Sequence, residues 1–335
     1  MADRSCCRTL PVALVVFAAI GMLLSGCGSG SASATPTTPT AYVTTGAAVA
    51  NPGDKVAVVD TVTPRLQSPI TTGTLPAALA VTPDGRDVLV ANKGDDTISE
   101  IDVASGDVVH HATVGLEPDA VAVAPNGTLA LVANFGDDTV SPVSLPSLRP
   151  GRPIAVGSQP VAVAFSPKGT LALVSNYGNG SVSPIAVPSM VAGSPVPAGA
   201  EPTAVLVTPD GTTALVTDFK TDTVTPIALA TMTPGTPIAV AGNPTGIAAL
   251  PTSTSAYVSG GDTVTPIELR THRTGPPITI GTLAEGVAIS PGGTTAWVSG
   301  LDGTLVHVDL RTRSVIGHVA VGGVPSAVVI ADVRR

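Results

Sequence analysis

A proline recurs through this chain at a spacing of 42 residues, and that period limits the folds open to it. It stands at positions 76, 118, 160, 202 and 244, and Ala284 and Pro325 continue the series at slightly shorter steps. A second proline follows seven residues later, at positions 83, 125, 167, 209, 251 and 291. A period of about 40 residues indicates copies of one supersecondary unit, each burying its faces against its neighbours.

The unit from Glu117 to Gly157 contains four short apolar runs bounded by Pro, Gly, Asn or Asp. The runs are residues 120–123, 129–133, 139–143 and 153–156. This pattern is typical of strands joined by tight turns, and we label them strands A, B, C and D of the unit. Four strands in a repeat of this length predict a β-propeller, in which each blade packs between two others and strict alternation is lost.

The two ends of the chain predict how the ring closes. Six whole units run from about residue 75 to 322, which leaves a lone A strand at 326–330. B, C and D strands without an A strand remain near the N-terminus, at 41–44, 55–59 and 68–72. The sequence therefore predicts an all-β, seven-bladed propeller over residues 41–335, whose seventh blade takes strands from both termini and leaves no open edge there.

The B strands carry a family resemblance. They read YVTT at 42–45, LVAN at 89–92 and 131–134, LVSN at 173–176, LVTD at 215–218, YVSG at 257–260 and WVSG at 297–300. These segments resemble the YVTN-family β-propeller repeat over essentially the whole mature chain. The resemblance implies a seven-bladed propeller related to surface-layer and lactonase-like propellers. It does not imply one activity, because propellers host binding, scaffolding and catalysis alike.

Strand C departs from an ordinary central strand. It contains a proline at 142, 184, 226 and 266, where a central strand needs its N–H. We therefore expect a bulge or a locally broken ladder in strand C.

The first 27 residues have the pattern of a processing signal. Arg4 and Arg8 precede an uncharged run that ends in Leu24-Ser25-Gly26-Cys27. This run resembles the lipobox of bacterial lipoproteins, although a transmembrane anchor or an ordinary secretory leader remain alternatives. The resemblance implies a signal peptide over 1–26 and a lipid on Cys27, which would anchor the protein on the outer side of the bacterial cytoplasmic membrane. Residues 27–40 would form a Gly/Ser- and Pro/Thr-rich tether.

Cysteine usage agrees with that prediction. Cys6 and Cys7 would leave with the signal peptide, so the mature chain would keep only Cys27. No disulfide framework, zinc site or thiol nucleophile can be built from one lipidated cysteine.

Charge is distributed unevenly over the predicted ring. B-to-C turns and D-to-A loops share one face, which we call the upper face, whereas A-to-B and C-to-D turns share the lower face. The upper face carries Asp54, Asp95, Asp96, Asp137, Asp138, Asp218, Asp222, Asp262 and Asp302. The lower face carries Arg65, Arg86, Arg149, Arg152, Arg270, Arg273, Arg311, Arg313, Arg334 and Arg335. Since the tether joins strand B at the lower face, we expect that face to look toward the anionic membrane and the acidic face toward partners. Turn formation and solubility alone would also explain these charges.

Four carboxylates begin inner strands and would ring the mouth of the central channel. They are Glu117, Asp119, Glu201 and Glu285. Oxygen ligands in this position suit a divalent cation, but a solvated acidic rim explains them as well, and we favour the rim. The sequence therefore predicts no metal and no cofactor.

The sequence lacks the patterns of known catalytic sites. It contains no GxSxG, SxxK, HExxH or Walker motif. None of its five histidines is expected to recur in register between blades, and an aromatic content of 2% leaves little platform for stacking. A net charge of −8 argues against nucleic acid. We therefore favour a non-catalytic envelope lipoprotein that binds a protein or cell-wall partner. The alternatives are a lactonase-like hydrolase with its site at the channel mouth and an accessory to an envelope redox system.

Overall fold

The repeats fold into seven antiparallel sheets arranged in a ring. The computed structural model describes residues 37–46 and 53–334. The predictions of a signal peptide, a lipid on Cys27 and most of the tether lie outside these residues. In the described part of the chain, no helix is long and apolar enough to span a membrane. The prediction of an all-β, seven-bladed propeller is confirmed.

The strands follow the chain in blade order. The first four are β1 (Thr37–Thr44), β2 (Lys55–Asp60), β3 (Arg65–Leu66) and β4 (Ile70–Thr71). Blade 1 consists of β5 (Pro76–Val81), β6 (Asp87–Asn92), β7 (Thr97–Asp102) and β8 (Val108–Thr113). Blade 2 consists of β9 (Pro118–Val123), β10 (Leu129–Asn134), β11 (Thr139–Ser144), β12 (Arg149–Pro150) and β13 (Ile154–Ala155). Blade 3 consists of β14 (Pro160–Phe165), β15 (Leu171–Asn176), β16 (Ser181–Ala186), β17 (Val191–Ala192) and β18 (Val196–Pro197), with a 3-10 turn at Tyr177–Asn179.

The second half of the ring repeats this order. Blade 4 consists of β19 (Pro202–Val207), β20 (Thr213–Asp218), β21 (Thr223–Ala228), β22 (Thr233–Pro234) and β23 (Ile238–Ala239). Blade 5 consists of β24 (Pro244–Ala249), β25 (Ser255–Gly260), β26 (Thr263–Glu268), β27 (Arg273–Thr274) and β28 (Ile278–Thr279). Blade 6 consists of β29 (Ala284–Ile289), β30 (Thr295–Gly300), β31 (Thr304–Asp309) and β32 (Ser314–Ala320), and β33 (Val328–Arg334) completes the chain.

Blade 7 is built from both ends of the chain, as predicted. β33 pairs antiparallel with β1, with Ala41 opposite Ile330 and Val43 opposite Val328. β1 begins at Thr37, four residues before the predicted strand. A buried hydrogen bond of 2.7 Å joins the hydroxyls of Thr44 and Ser326 across this pair. The Ser326 hydroxyl also donates to the carbonyl of Ala77, so the closing blade is bonded to blade 1.

The core consists of small and branched aliphatic side chains, because each sheet packs against a sheet on both sides. In strand B, Leu89, Leu131, Leu173 and Leu215 are fully buried at equivalent positions. Blade 6 carries the one tryptophan, and the Trp297 ring stacks on the His307 ring with centroids 3.9 Å apart. The sheets therefore interlock by repeated apolar layers rather than by a few large side chains.

The prediction of a bulge or a locally broken ladder at the strand C prolines is confirmed, but only on the outer side of strand C. β11 pairs continuously with β10, and Pro142 lies opposite Leu131. On the outer side the ladder is broken at Pro142, where the outer strand is split into β12 and β13, and the Gly151 amide donates to the Pro142 carbonyl at 2.7 Å. Pro142 faces the outer strand with the side that lacks an N–H, so the inner ladder loses no hydrogen bond.

The prediction that no histidine recurs in register is wrong. In each blade, the amide of the residue directly after strand D donates to the carbonyl of the residue before strand C. These donors are Thr72, Val114, Val156, Ala198, Val240, Ile280 and Val321, at 2.7 to 3.1 Å. Counting back three residues from Val114 gives His111, and counting back three from Val321 gives His318. The outer strands of these two blades, β8 and β32, are continuous.

Candidate functional site

A tier of large side chains follows strand B on the upper face of four consecutive blades. Its members are Lys93, Phe135, Tyr177 and Phe219. Each donates its backbone N–H, at 2.9 to 3.0 Å, to the residue that precedes the inner strand of the same blade. The acceptors are Leu75, Glu117, Gln159 and Glu201. The repeated bond places the four side chains at one level around the channel mouth.

Aspartates of the B-to-C turns fix this level by bonding to the next blade. Asp96 accepts from the Glu117 amide at 2.8 Å, and Asp138 accepts from the Gln159 amide at 2.8 Å. Both amides belong to residues with left-handed backbone, at φ 48° and 53°. A carboxylate that accepts a backbone N–H stabilises such a conformation and ties two blades together. At least part of the acidic charge of the upper face therefore serves the fold.

Asp119 is held by a lysine from the neighbouring blade. The Lys93 ammonium lies 2.7 Å from Oδ1 of Asp119 and 4.3 Å from the centroid of the Phe135 ring. The Asp119 side chain is fully buried, and its Oδ2 has no hydrogen-bond partner among the described residues. Burial raises the pKa of Asp119 to about 6, although the Lys93 charge opposes that rise. Lys93 therefore joins blade 1 to blade 2 by an ion pair and a cation–π contact.

Glu201 makes a second polar cluster two blades further on. It accepts a hydrogen bond of 3.1 Å from the Tyr177 hydroxyl and pairs with the Lys220 ammonium at 3.1 Å. Burial and the bond to Glu201 raise the pKa of Tyr177 to about 12. The hydroxyl therefore stays protonated and acts as a donor at neutral pH.

The remaining two carboxylates lie in opposite environments. Glu117 is exposed at the start of blade 2. Glu285 is only 5% exposed, and burial raises the pKa of its carboxyl to about 8. Its backbone carbonyl accepts hydrogen bonds from Thr245 and Ser259 of blade 5. Glu285 is thus held at the seam between two blades with a carboxyl that is largely protonated at pH 7.

The four predicted site carboxylates do not form one cluster. Asp119 and Glu201 are each neutralised by a lysine, Glu117 faces solvent and Glu285 is buried. Within residues 37–46 and 53–334, no group of three His, Cys, Asp or Glu side chains is placed to hold a metal ion. A divalent cation at Asp119 or Glu201 would therefore have to displace a lysine, because each of these carboxylates already forms an ion pair with one.

The expectation of little aromatic surface needs correction at this face. The chain has few aromatic residues, but Phe135, Tyr177 and Phe219 stand at one position of three adjacent blades. All three are partly exposed. Aligning the residue after each strand B would have revealed them in the sequence.

A family model for a lactonase, described as a seven-bladed β-propeller, matches residues 46–147. This segment covers under a third of the chain and includes Lys93, Asp119 and Phe135. No curated protein matches the chain. The chain is thus similar to lactonase propellers over its first blades.

Solved structures resemble the chain over most of its length. A functionally unknown protein from Desulfotomaculum acetoxidans has 18% identity and a TM-score of 0.79, covering 88% of this chain and 99% of that one. Hydrazine synthase from Kuenenia stuttgartiensis has 18% identity and a TM-score of 0.70, covering 77% and 95%. The dihydro-heme d1 dehydrogenase NirN has 17% identity and a TM-score of 0.66, covering 89% and 76%. At this identity the likeness shows the propeller fold alone.

Proposed function

We propose that the protein is a binding propeller of the bacterial cell envelope, whose upper face holds a protein or cell-wall partner over the channel mouth. One observation carries this proposal: four consecutive blades present Lys93, Phe135, Tyr177 and Phe219 at one level. Partly exposed aromatic rings offer large contact area at low cost in side-chain entropy. The exposed Glu117 carboxylate and the aspartates of the B-to-C turns leave this face acidic, which favours a partner that carries basic groups.

The way the chain enters the ring supports an outward-facing upper surface. In blade 7, β1 begins at Thr37, which lies opposite Arg334 near the end of β33. This end of the blade lies on the lower face. Thr37 lies ten positions after Cys27, and even a fully extended chain of that length spans at most about 35 Å. A lipid on Cys27 would hold the lower face near the membrane and leave the channel mouth accessible to partners.

Photo-crosslinking from the two faces tests this proposal. Leu116 on the upper face and Val62 on the lower face are 54% and 64% exposed, so either site accepts p-benzoylphenylalanine without disturbing the core. In intact cells, we expect one discrete crosslinked species from position 116 and none from position 62. Introducing Phe135→Ala and Phe219→Ala together is expected to remove that species. Equal crosslinking from both faces, or crosslinking that survives the double substitution, would overturn the proposal.

Lactone hydrolysis is the second candidate, because the lactonase model matches the segment that contains Asp119. The pKa of Asp119, raised to about 6, suits a general base. Its side chain is fully buried, however, so a substrate could reach it only after Lys93 moved. A pH-stat assay with simple and phosphorylated sugar lactones decides between the candidates. Turnover that is lost in Asp119→Asn would replace the binding function with catalysis.

A further inference from the structure

The outer edges of blades 1 and 6 lack a feature that the other five blades share. The donors described above, directly after strand D, point their N–H groups inward, toward strand C. Because N–H groups alternate in direction along an antiparallel strand, the residue three positions before each donor points its N–H away from the blade. Five blades have proline at this outward position, namely Pro69, Pro153, Pro195, Pro237 and Pro277. Proline has no N–H and therefore blunts an edge that could otherwise pair with another strand. Blades 1 and 6 have His111 and His318 instead.

β8 is a well-supported strand with an unblocked edge. It is continuous from Val108 to Thr113, and most of its side chains are exposed. Its inner side is held to β7 by two side-chain bonds, from His110 to Glu100 at 2.7 Å and from His111 to Ser99 at 2.9 Å. The peptide groups of His111 and Thr113 project outward, since Val114 bonds inward. β8 therefore offers a further strand both a donor and an acceptor at two alternate residues.

Charge separates this edge from the similar edge of blade 6. The lower end of blade 1, where β8 begins, carries Asp84, Asp87, Asp102 and Asp107 against Arg86 alone. The corresponding end of blade 6 carries Arg311 and Arg313 against Asp309. The edge of blade 1 is thus locally acidic, whereas that of blade 6 is locally basic.

Space for an incoming chain lies beside the acidic edge. A groove of about 870 Å³ runs between blades 7 and 1, bordered by residues 67–71 on one side and 103–108 on the other. The residues that line it include the aliphatic Ile70 and Val108 and the acidic Asp107. A segment leaving the lower end of β8 would enter this groove.

We propose that β8 is the docking edge for an extended, basic peptide segment of a partner protein, which adds to blade 1 as a fifth strand. Backbone hydrogen bonds to His111 and Thr113 supply the pairing. The added strand runs antiparallel to β8, so its C-terminal basic residues reach Asp107 and Asp102. The histidine matters for the backbone N–H that proline lacks, rather than for its imidazole.

Fluorescence anisotropy of a labelled peptide tests the proposal on the full chain at low salt. The probe is the amidated peptide TVTVTKK, and the matched control peptide is TVTVTEE. We expect the lysine peptide to bind at least ten times more tightly than the glutamate peptide. Substitution of Asp107→Asn is expected to weaken binding of the lysine peptide several-fold. Equal binding of the two peptides would overturn the charge assignment and with it the proposal.

Two substitutions at one position separate the backbone from the side chain. His111→Pro is expected to weaken binding at least tenfold, whereas His111→Ala is expected to bind as wild type does. His318→Pro on blade 6 serves as the control and should leave binding unchanged. Binding that survives His111→Pro, or is lost equally in His111→Ala, would overturn the proposal.

Hydrogen exchange provides a readout that does not depend on a variant folding. Peptide binding to the wild-type chain is expected to slow exchange of the His111 and Thr113 amides and to leave His318 unchanged. Unchanged exchange at both blade 1 amides would overturn the proposal. A wild-type dimer that His111→Pro converts to a monomer would also overturn it, because a second copy of this chain would then occupy the edge.

Discussion

Replacing Glu285 by glutamine should change how the stability of the propeller depends on pH. The carboxyl is 5% exposed, and burial raises its pKa from an ordinary 4.5 to about 8. Between these two values the native state keeps a proton that the unfolded chain releases, so stability falls as pH rises through the window. The loss is complete above pH 8. Glutamine has nearly the same shape and no proton to lose, so the variant avoids this loss.

The size of this loss of stability follows from the size of the Glu285 pKa shift. A difference of one pKa unit corresponds to about 1.4 kcal/mol, so wild type loses on the order of 3 to 4 kcal/mol between pH 5 and pH 8. For a domain of this size, that loss lowers Tm by about 5 °C relative to Glu285→Gln. Asp119 titrates in both proteins and cancels in the comparison.

Differential scanning calorimetry from pH 5 to pH 8 measures the difference directly. We expect similar Tm values at pH 5 and a widening gap in favour of Glu285→Gln toward pH 8. Thr221→Ala is the control, since it changes an exposed side chain of the same face that does not titrate, and its gap to wild type should stay constant. Parallel Tm curves for wild type and Glu285→Gln would refute the argument that burial keeps this carboxyl protonated.

Three further predictions follow from the contacts between blades. Asp138→Ala should lower the free energy of unfolding by about 1 to 3 kcal/mol in a urea titration, because the left-handed Gln159 amide loses its acceptor. Thr252→Ala on the lower face is the control. An unchanged unfolding midpoint for Asp138→Ala would contradict the stabilising role of this bond between blades. Lys93→Met should cost about 3 kcal/mol at pH 8 by leaving Asp119 buried without its counter-ion. The cost should shrink toward pH 5, where Asp119 takes up a proton, and should be largely relieved by adding Asp119→Asn; a loss that is independent of pH would contradict the ion pair. Burial lowers the pKa of His307, so protonation of this ring should quench Trp297 fluorescence only below its ordinary value of 6.5. His307→Gln should abolish that step, and a step that persists would show that another group quenches the tryptophan.

The ring could be predicted from the sequence because the residues that mark its turns and strand starts are repeated. Prolines spaced by 42 residues mark the start of each inner strand, and one unit left incomplete at each terminus implies a shared blade. Such a pattern needs no knowledge of side-chain contacts, since it depends on turns and on strand count.

The candidate site was less accessible to the same reasoning. Phe135, Tyr177 and Phe219 are single residues in polar hairpins, and their common level is visible only when the blades are aligned. The pairing of Lys93 with Asp119 joins residues 26 positions apart on different blades, which spacing alone does not predict. Composition gave the number of aromatic residues but not their arrangement.

The outer strands show a second limit. The sequence shows a proline in strand C, but which side of the ladder its missing N–H faces depends on register. The match between His111 and His318 was hidden because the later units are slightly shorter than 42 residues. Hydrogen bonds of strand D supply the register that the repeat length does not.

Closure of the ring by both termini is the claim on which the two faces and the edges depend, and one engineered disulfide tests it most directly. The hydroxyls of Thr44 and Ser326 are 2.7 Å apart and buried, so cysteines at both positions would lie within bonding distance. In a chain whose natural cysteines are replaced by serine, Thr44→Cys with Ser326→Cys should oxidise without a denaturant. The product should migrate as a compact species on a non-reducing gel. The control pair Ser175→Cys with Ser326→Cys places a cysteine at the equivalent position of strand B in blade 3 and should stay reduced. A Thr44–Ser326 pair that stays reduced while the protein remains folded would contradict the closed ring.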